Sequence, residues 1–164
     1  MKLRSAAAVT IRELQPGDHH TLLQVFEGLS DEQRVRRYGS GMPRLMPSYL
    51  HALTAIDGTN HVALVAEVDG RPVGIARYIV TRAGTAEFAI EVVDAFTRRG
   101  IARRLVDRLT ATALQRGVGR FTMDIMGVNA PALAMARAMG AELRRDGTSF
   151  EGTVRLEALS EQVA

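Results

Sequence analysis

Residues 86–109 read AEFAIEVVDAFTRRGIARRLVDRL, and this stretch decides how the rest of the chain is interpreted. It begins as an apolar strand over residues 85–93 that carries a carboxylate near its start. A short turn containing Arg and Gly then opens onto an amphipathic helix over residues 100–116, whose apolar residues recur at helical spacing. The start of a helix has free N–H groups and a partial positive charge. The segment therefore predicts a binding site for an anionic group such as phosphate.

Strands and turns alternate on either side of this segment. Asp69-Gly70 lies between two apolar runs and indicates a two-residue hairpin, and Gly84 marks a second turn. The strand after the long helix is expected to run parallel to strand 85–93, because a helical crossover connects them. The predicted strands cover residues 8–14, 61–68, 72–81, 85–93, 120–128 and 150–156, and the predicted helices cover residues 18–29, 48–56, 100–116 and 129–139. Together they predict a mixed sheet with helices on both faces.

The segment between the first strand and the hairpin is irregular, and we expect substrate-contacting groups there. Asp18 is placed to cap the first helix. Ser30 fits the first position of a capping box in which Gln33 reaches back to the backbone, and this box would start a further short helix. Residues 29–56, with the loop before Phe150, are expected to shape the surface that contacts a substrate.

The composition is typical of one globular domain. At 164 residues, with 46% hydrophobic and 24% charged residues, the chain is long enough to bury a sizeable core. No apolar run approaches the roughly 20 residues of a membrane span, and the apolar stretch near the N-terminus breaks at Arg12. A cytoplasmic protein with no membrane partner is expected. The absence of Cys excludes disulfides and a Cys nucleophile, and the four histidines lack metal-ligand spacing, so no metal site is predicted.

Arginine supplies nearly all of the positive charge. Lys2 is the only lysine, and the formal net charge is +3. A guanidinium group can hold phosphate through two parallel hydrogen bonds, and arginines are densest over residues 34–37, 98–104 and 144–145. No basic stripe with interleaved aromatic residues is present, so an Arg-rich nucleic-acid-binding domain is the least favoured interpretation.

The turn itself resembles a family signature. Residues 97–102, TRRGIA, resemble the motif of the GNAT acyl-CoA N-acyltransferases, which is Gln or Arg, two residues, Gly, one residue, and Gly or Ala. Gly100 and Ala102 match the small positions, whereas Thr97 stands where Gln or Arg is usual and Arg98 replaces a common Gly. The order of elements over about residues 9–156 is similar to that family. More narrowly, GLSDEQRVRRYGS, LTAID, VALVAEVDGRPVGIARYIV and AEFAIEVVDAF look like the acyltransferase domain of bacterial protein lysine acetyltransferases.

The resemblance implies a fold and a cofactor. The fold would be one α/β (α+β) domain over residues 1–164, with its core at about 9–157: a mixed, mostly antiparallel sheet of six to seven strands with helices on both faces. The cofactor would be acetyl-CoA or coenzyme A, with its pyrophosphate at the turn and its pantetheine arm along the preceding strand. The implied cofactor-binding residues are Ile90, Val92, Arg98, Arg99, Gly100, Ile101, Ala102, Arg103 and Asn129. The N–H of Val92 would bind the thioester carbonyl, and Asn129 would cap a helix, touch the cofactor or do both.

The resemblance also implies a general base. A lysine amine with a pKa of about 10.4 is almost wholly protonated near neutral pH, so a group that removes its proton is useful. Glu87 matches the catalytic Glu of the protein-acetylating relatives, and partial burial among apolar neighbours would raise its pKa. Glu91 has the same strand parity but lies roughly 13 Å further along, so the two do not form a carboxylate pair. Glu91 could instead bind a cationic substrate.

Two functions from different classes remain open on these residues. One is direct acetyl transfer from acetyl-CoA to a primary amine, with a protein lysine favoured over a small molecule as acceptor. The other is a catalytically silent module that binds acyl-CoA as a sensor or for assembly. Ala136 stands where many family members have a Tyr that protonates the leaving thiolate, which is compatible with either. A homodimer is compatible with both as well.

Overall fold

The chain folds into a seven-stranded sheet with helices on both faces, as the sequence predicts. A computed structural model describes residues 7–163. The strands are β1 (Val9–Glu13), β2 (His61–Val68), β3 (Arg71–Arg82), β4 (Thr85–Val92), β5 (Arg120–Met126), β6 (Glu142–Asp146) and β7 (Ser149–Arg155), and the helices are α1 (His19–Glu27), α2 (Asp31–Tyr38), α3 (Pro47–Thr54), α4 (Ile101–Gln115), α5 (Ala130–Ala138) and α6 (Leu156–Val163). The strand order is β1-β2-β3-β4-β5-β7-β6.

Every neighbouring pair of strands is antiparallel except β4 and β5, which are parallel. The β2–β3 hairpin closes at Asp69 and Gly70, whose φ angles of 50° and 77° are those of the predicted two-residue turn. Within the described chain, β4 and β5 are paired only between residues 85–87 and 120–122. Beyond Glu87 the two strands therefore separate, and a gap opens in the middle of the sheet.

Each face of the sheet has its own apolar core. The face covered by α4, α5 and α6 contains Phe121, which is fully buried and lies 5.4 Å from the ring of Phe88. The opposite face is covered by α1 and α3 and is built on Leu22, Val25 and Phe26 of α1 against the β2–β3 hairpin. Side chains alternate across a strand, so β4 supplies even-numbered residues to the first face and odd-numbered residues to the second.

The predicted elements are confirmed within two residues at each end, but the prediction for the C-terminal part of the chain was incomplete. The structure has an additional strand, β6, which pairs with β7, and an additional helix, α6, which packs against α4. The sequence of β6, ELRRD, is almost wholly exposed at the edge of the sheet, so it lacks the apolar alternation that identifies a strand. Gly147, with φ of 60°, closes the β6–β7 hairpin.

The cap of α2 differs from the predicted capping box. The hydroxyl of Ser30 accepts the backbone N–H of Gln33 at 3.2 Å, as expected. The reciprocal contact from the Gln33 side chain is not made, because the N–H of Ser30 donates to Oδ1 of Asp94 at 2.8 Å. The start of α2 is thus attached to the segment that follows β4 rather than to itself.

Across the described residues, 7–163, none of the helices is both long enough and apolar enough to cross a membrane. The same part of the chain holds no group of three or more His, Cys, Asp or Glu side chains arranged to bind a metal ion.

Candidate functional site

The gap between β4 and β5 exposes backbone groups of β4. The N–H of Val93 donates to the carbonyl of Val73 at 2.8 Å, which places residue 93 in a hydrogen-bonded pair with the strand on the β3 side. Pairs in an antiparallel ladder alternate, so the N–H and C=O groups of Ile90 and Val92 point away from β3, toward the gap. These are the two strand residues that the sequence assigned to a cofactor arm. Their backbone groups lie beyond the last β4–β5 pair and are available to a ligand.

The turn after β4 is shaped by two left-handed residues. A single 3₁₀ turn over Asp94–Phe96 is followed by Arg98 with φ of 61° and Gly100 with φ of 76°. Gly100 is the N-cap of α4, and no side chain caps this helix end. A Cβ at Gly100 would meet no atom within 4 Å, so the glycine is required by the backbone angle and not by crowding. The first N–H groups of α4 are therefore left without a side-chain cap.

A cavity of about 380 Å³ lies at this helix end, between α4, α5 and α6. Six residues predicted to bind the cofactor line it, and they come from the strand end, the turn and the first turn of α4. The lining residues are Val92, Phe96, Thr97, Arg98, Gly100, Ile101, Ala102, Arg103, Val106, Asp107, Met135, Ala138, Met139 and Leu159. The wall is mainly apolar, and the arginines lie at its mouth with the helix start. This arrangement can accept an elongated ligand with a phosphate group and a slender apolar arm.

Three of the predicted cofactor residues do not line the cavity. Arg99 is not a lining residue, although its guanidinium lies 5.0 Å from the centre of the ring of Phe96, which is one. Ile90 is half-buried further back along β4. Asn129 caps α5 by accepting the N–H of Ala132 at 3.2 Å, so its capping role is the one that the structure displays.

The contribution of α5 and α6 to the cavity was missed by the sequence analysis. Met135, Ala138 and Met139 form one face of α5, and their helical spacing could have identified that face as a wall. Leu159 lies on α6, which was not predicted at all. Ala136, on the neighbouring face of α5, is fully buried in the core, so a tyrosine would not fit there without displacing its neighbours.

Glu87 lies outside the cavity, on the opposite face of β4. It is exposed, and it is paired with Ile79 of β3 on one side and Thr122 of β5 on the other, at the last residue before the strands separate. The expectation that apolar neighbours bury Glu87 is therefore wrong: Phe88 and Ile90 alternate onto the other face of the strand. The carboxylate stands at the base of the gap, open to solvent.

Glu91 is buried and is bound by groups of the chain itself. Its side chain is 3% exposed. Its Oε2 accepts the hydroxyl of Tyr38 at 2.9 Å and lies 3.5 Å from Nε of Arg37. The idea that Glu91 binds a cationic substrate is not supported, because Arg37 of α2 occupies that role. Burial and the nearby Glu91 charge raise the pKa of Tyr38 well above its usual range, so its hydroxyl stays protonated and donates.

A second buried cation lies on β3 near Glu91. Arg77 is 3% exposed, and its Nη1 donates to the carbonyl of Leu53 at 2.6 Å and faces Nε2 of His61 at 3.0 Å. Burial lowers the pKa of Arg77 to about 10, against an opposing effect of the Glu91 charge. Burial lowers the pKa of His61, and the positive charge of Arg77 lowers it further. The ring is therefore neutral and presents an unprotonated nitrogen to the guanidinium.

The left-handed backbone at Arg98 gives a testable consequence for stability. The left-handed conformation of Arg98 costs about 1–2 kcal/mol for a residue with a Cβ, whereas glycine adopts it freely. We expect Arg98→Gly to be about 1 kcal/mol more stable than Arg98→Ala in urea unfolding, although both variants lose the same charge. Equal stability of the two variants would show that the turn relaxes out of the left-handed region.

The comparisons with known proteins agree with this geometry. The family model described as “Acetyltransferase (GNAT) family” matches residues 23–141, well over half of the chain. The GNAT domain of S. lividans PAT superposes with a TM-score of 0.83 at 25% identity, with 90% of each chain covered.

Two further solved structures share the fold at lower identity. One is yncA, a putative acetyltransferase from Salmonella typhimurium with its cofactor acetyl-CoA (TM-score 0.72, 18% identity, 91% of this chain and 94% of that chain covered). The other is the PaiA N-acetyltransferase from Thermoplasma acidophilum in complex with coenzyme A (TM-score 0.69, 15% identity, 90% and 99% covered).

Proposed function

Since this chain belongs to the acetyltransferase (GNAT) family, we propose that it binds acetyl-CoA and transfers the acetyl group to a primary amine. The observation that carries this proposal is the cavity at the start of α4, whose lining includes Val92 at the end of the free backbone edge of β4. Solved structures of the same fold are described with acetyl-CoA or coenzyme A bound. A protein lysine is the favoured acceptor because several segments of the sequence resemble the acyltransferase domains of bacterial protein lysine acetyltransferases.

The turn supplies the binding site for the pyrophosphate. Backbone N–H groups from Arg98 to Arg103 surround the uncapped start of α4, and Arg98 and Arg103 add positive charge at the cavity mouth. Basic side chains at a helix N-terminus oppose the helix dipole, so the apo protein carries an unfavourable interaction there that a bound phosphate removes. Arg99 contributes less in this proposal, because it is stacked on Phe96.

The edge of β4 positions the reacting end of the cofactor. The outward N–H and C=O of Ile90 extend the sheet by hydrogen bonding to the amides of the pantetheine arm. The N–H of Val92 donates to the thioester oxygen, where negative charge grows as the carbonyl carbon is attacked. The amine nitrogen forms a bond to that carbon, the C–S bond breaks, and coenzyme A leaves as a thiolate.

Glu87 takes the proton of the amine through a chain of water molecules along the gap, because five strand residues of about 3.3 Å each separate it from Val92. It lies where β4 and β5 separate, on the face of the strand opposite the cavity, so an amine arriving from that side reaches the gap past its carboxylate. No tyrosine is available at residue 136 to protonate the thiolate. A thiolate is a good leaving group, so the proposal needs no such acid.

Thiol release from acetyl-CoA with a panel of amines tests the function. Free lysine, a polyamine and lysine-containing peptides are offered, and coenzyme A is measured with a thiol reagent. The chain has no Cys, so the protein gives no background in this assay, and Lys2 is its only lysine, so self-acetylation is confined to Lys2 and the N-terminus. We expect turnover with at least one peptide lysine. Tight binding of acetyl-CoA without turnover on any amine would favour the silent acyl-CoA module instead.

A further inference from the structure

Helix α2 contributes no buried residue to the core, and the partly buried ring of Tyr38 is its apolar contact with Phe26. Its sequence is DEQRVRRY, and none of its residues is buried. Val35, its one aliphatic side chain, is 37% exposed. An amphipathic surface helix is normally held by an apolar stripe against the core. The position of α2 must therefore be set by its polar and aromatic contacts.

Two carboxylates on either side of Val92 hold the two ends of this helix. At the C-terminal end of α2, Glu91 accepts the Tyr38 hydroxyl at 2.9 Å and lies 3.5 Å from Arg37. At the N-terminal end, Asp94 accepts the N–H of Ser30 at 2.8 Å. Both carboxylates belong to the short segment that includes the proposed thioester-binding N–H. The helix is thus connected at both ends to the strand that presents the acyl group.

The burial of Glu91 makes the docked position of α2 specific. A buried carboxylate is tolerated only while charged or hydrogen-bonding partners surround it. Within the described chain, its Oε1 has no hydrogen-bond partner, so the two α2 groups at Oε2 are its direct contacts. If α2 moves away, Glu91 loses both. Polar contacts of this kind favour one docked geometry over the many that an apolar contact would allow.

We propose that Glu91 is a positioning residue that holds α2, through Tyr38 and Arg37, as a wall of the acceptor site. The inference rests on the proposed function. Glu91 and Glu87 have the same strand parity, so α2 covers the face of the sheet from which the amine approaches. Strand β4, which orients the thioester, therefore also fixes the position of the helix that forms the acceptor wall. Loss of the contact weakens acceptor binding and leaves the cofactor cavity, on the other face, intact.

Tyr38→Phe is the direct test, because it removes one hydroxyl and keeps the aromatic packing on Phe26 and Tyr49. A hydrogen bond to a charged group corresponds to about a tenfold change or more. We expect amide hydrogen exchange of α2 to accelerate about tenfold and the KM for the amine to rise about tenfold, with the Kd for acetyl-CoA unchanged. Glu91→Gln, which keeps a side chain of the same size, is expected to change the same two quantities in the same direction.

Tyr78→Phe is the matched control. It also removes one tyrosine hydroxyl, but Tyr78 lies in the apolar core on the other face of the sheet, where its ring packs against Phe121, so α2 exchange and the KM for the amine should stay unchanged. The proposal is overturned if α2 exchange in Tyr38→Phe equals that of the wild type, or if the Kd for acetyl-CoA rises as much as the KM for the amine. Hydrogen exchange needs no turnover. It therefore decides whether the contact holds α2 even if no amine is acetylated. An absence of acetylation would count against the proposed function alone.

Discussion

Glu87→Gln is expected to lower kcat for amine acetylation by about 10²- to 10⁴-fold, the usual contribution of a positioned general base. The substitution keeps the size of the side chain and removes its ability to take a proton. The Kd for acetyl-CoA should stay within about twofold of the wild type, because Glu87 lies on the face of β4 opposite the cavity. Steady-state thiol release, together with calorimetric titration of acetyl-CoA, separates the two quantities.

Glu151→Gln is a suitable control for this experiment. Glu151 lies on β7, and its side chain is 52% exposed, so the variant removes a carboxylate from the same sheet at little structural cost. Its kcat should match that of the wild type. If Glu87→Gln kept more than about a third of the wild-type kcat, the amine would have to lose its proton to another group or to solvent.

Arg77→Met should destabilise the fold by about 3 kcal/mol, the low end of the cost of removing one partner from a buried charged group. The loss leaves the carbonyl of Leu53 without its 2.6 Å donor and removes a buried cation whose charge interacts favourably with that of Glu91. Met fills a similar volume, so a cavity contributes little. The difference in unfolding free energy is measured by urea denaturation, with CoA absent.

The double variant Arg77→Met, Glu91→Gln separates charge compensation from packing. If the buried charges of Arg77 and Glu91 offset each other, removing both should recover a large part of the stability lost in Arg77→Met. Additive losses in the two single variants would show that the charges do not interact. In that case the cost of Arg77→Met would come from the hydrogen bond to Leu53.

Most of the strands and helices were predictable because local signals specify them, whereas β6 and α6 were not predicted. Strand 85–93 and the helix after Gly100 follow from apolar spacing, and the β2–β3 hairpin follows from Asp69-Gly70. The turn before α4 was recognised for the same reason, since Gly100 has the left-handed backbone, with φ of 76°, that glycine adopts freely. The exposed strand β6 was missed because its sequence, ELRRD, has no apolar alternation to detect.

The environment of each carboxylate was not predictable in the same way. Glu87 and Glu91 have the same strand parity, yet one is exposed and the other is buried. The difference depends on what covers each position: α2 lies over Glu91, and Glu87 stands at the opening between β4 and β5. Neither fact can be obtained from the neighbours of these residues in the sequence.

The sequence alone determined the family-like order of strands and helices, the turn at the start of α4 and the carboxylate at the start of β4. Apolar periodicity and the backbone angles of glycine act within a few residues, so they are readable along the chain. Only the tertiary structure decided which carboxylate is free and which is engaged. The contacts responsible join Tyr38 to Glu91 across 53 positions and Ser30 to Asp94 across 64. Such contacts form only when the sheet brings α2 beside β4, and the desolvation that distinguishes the two glutamates exists only after that packing.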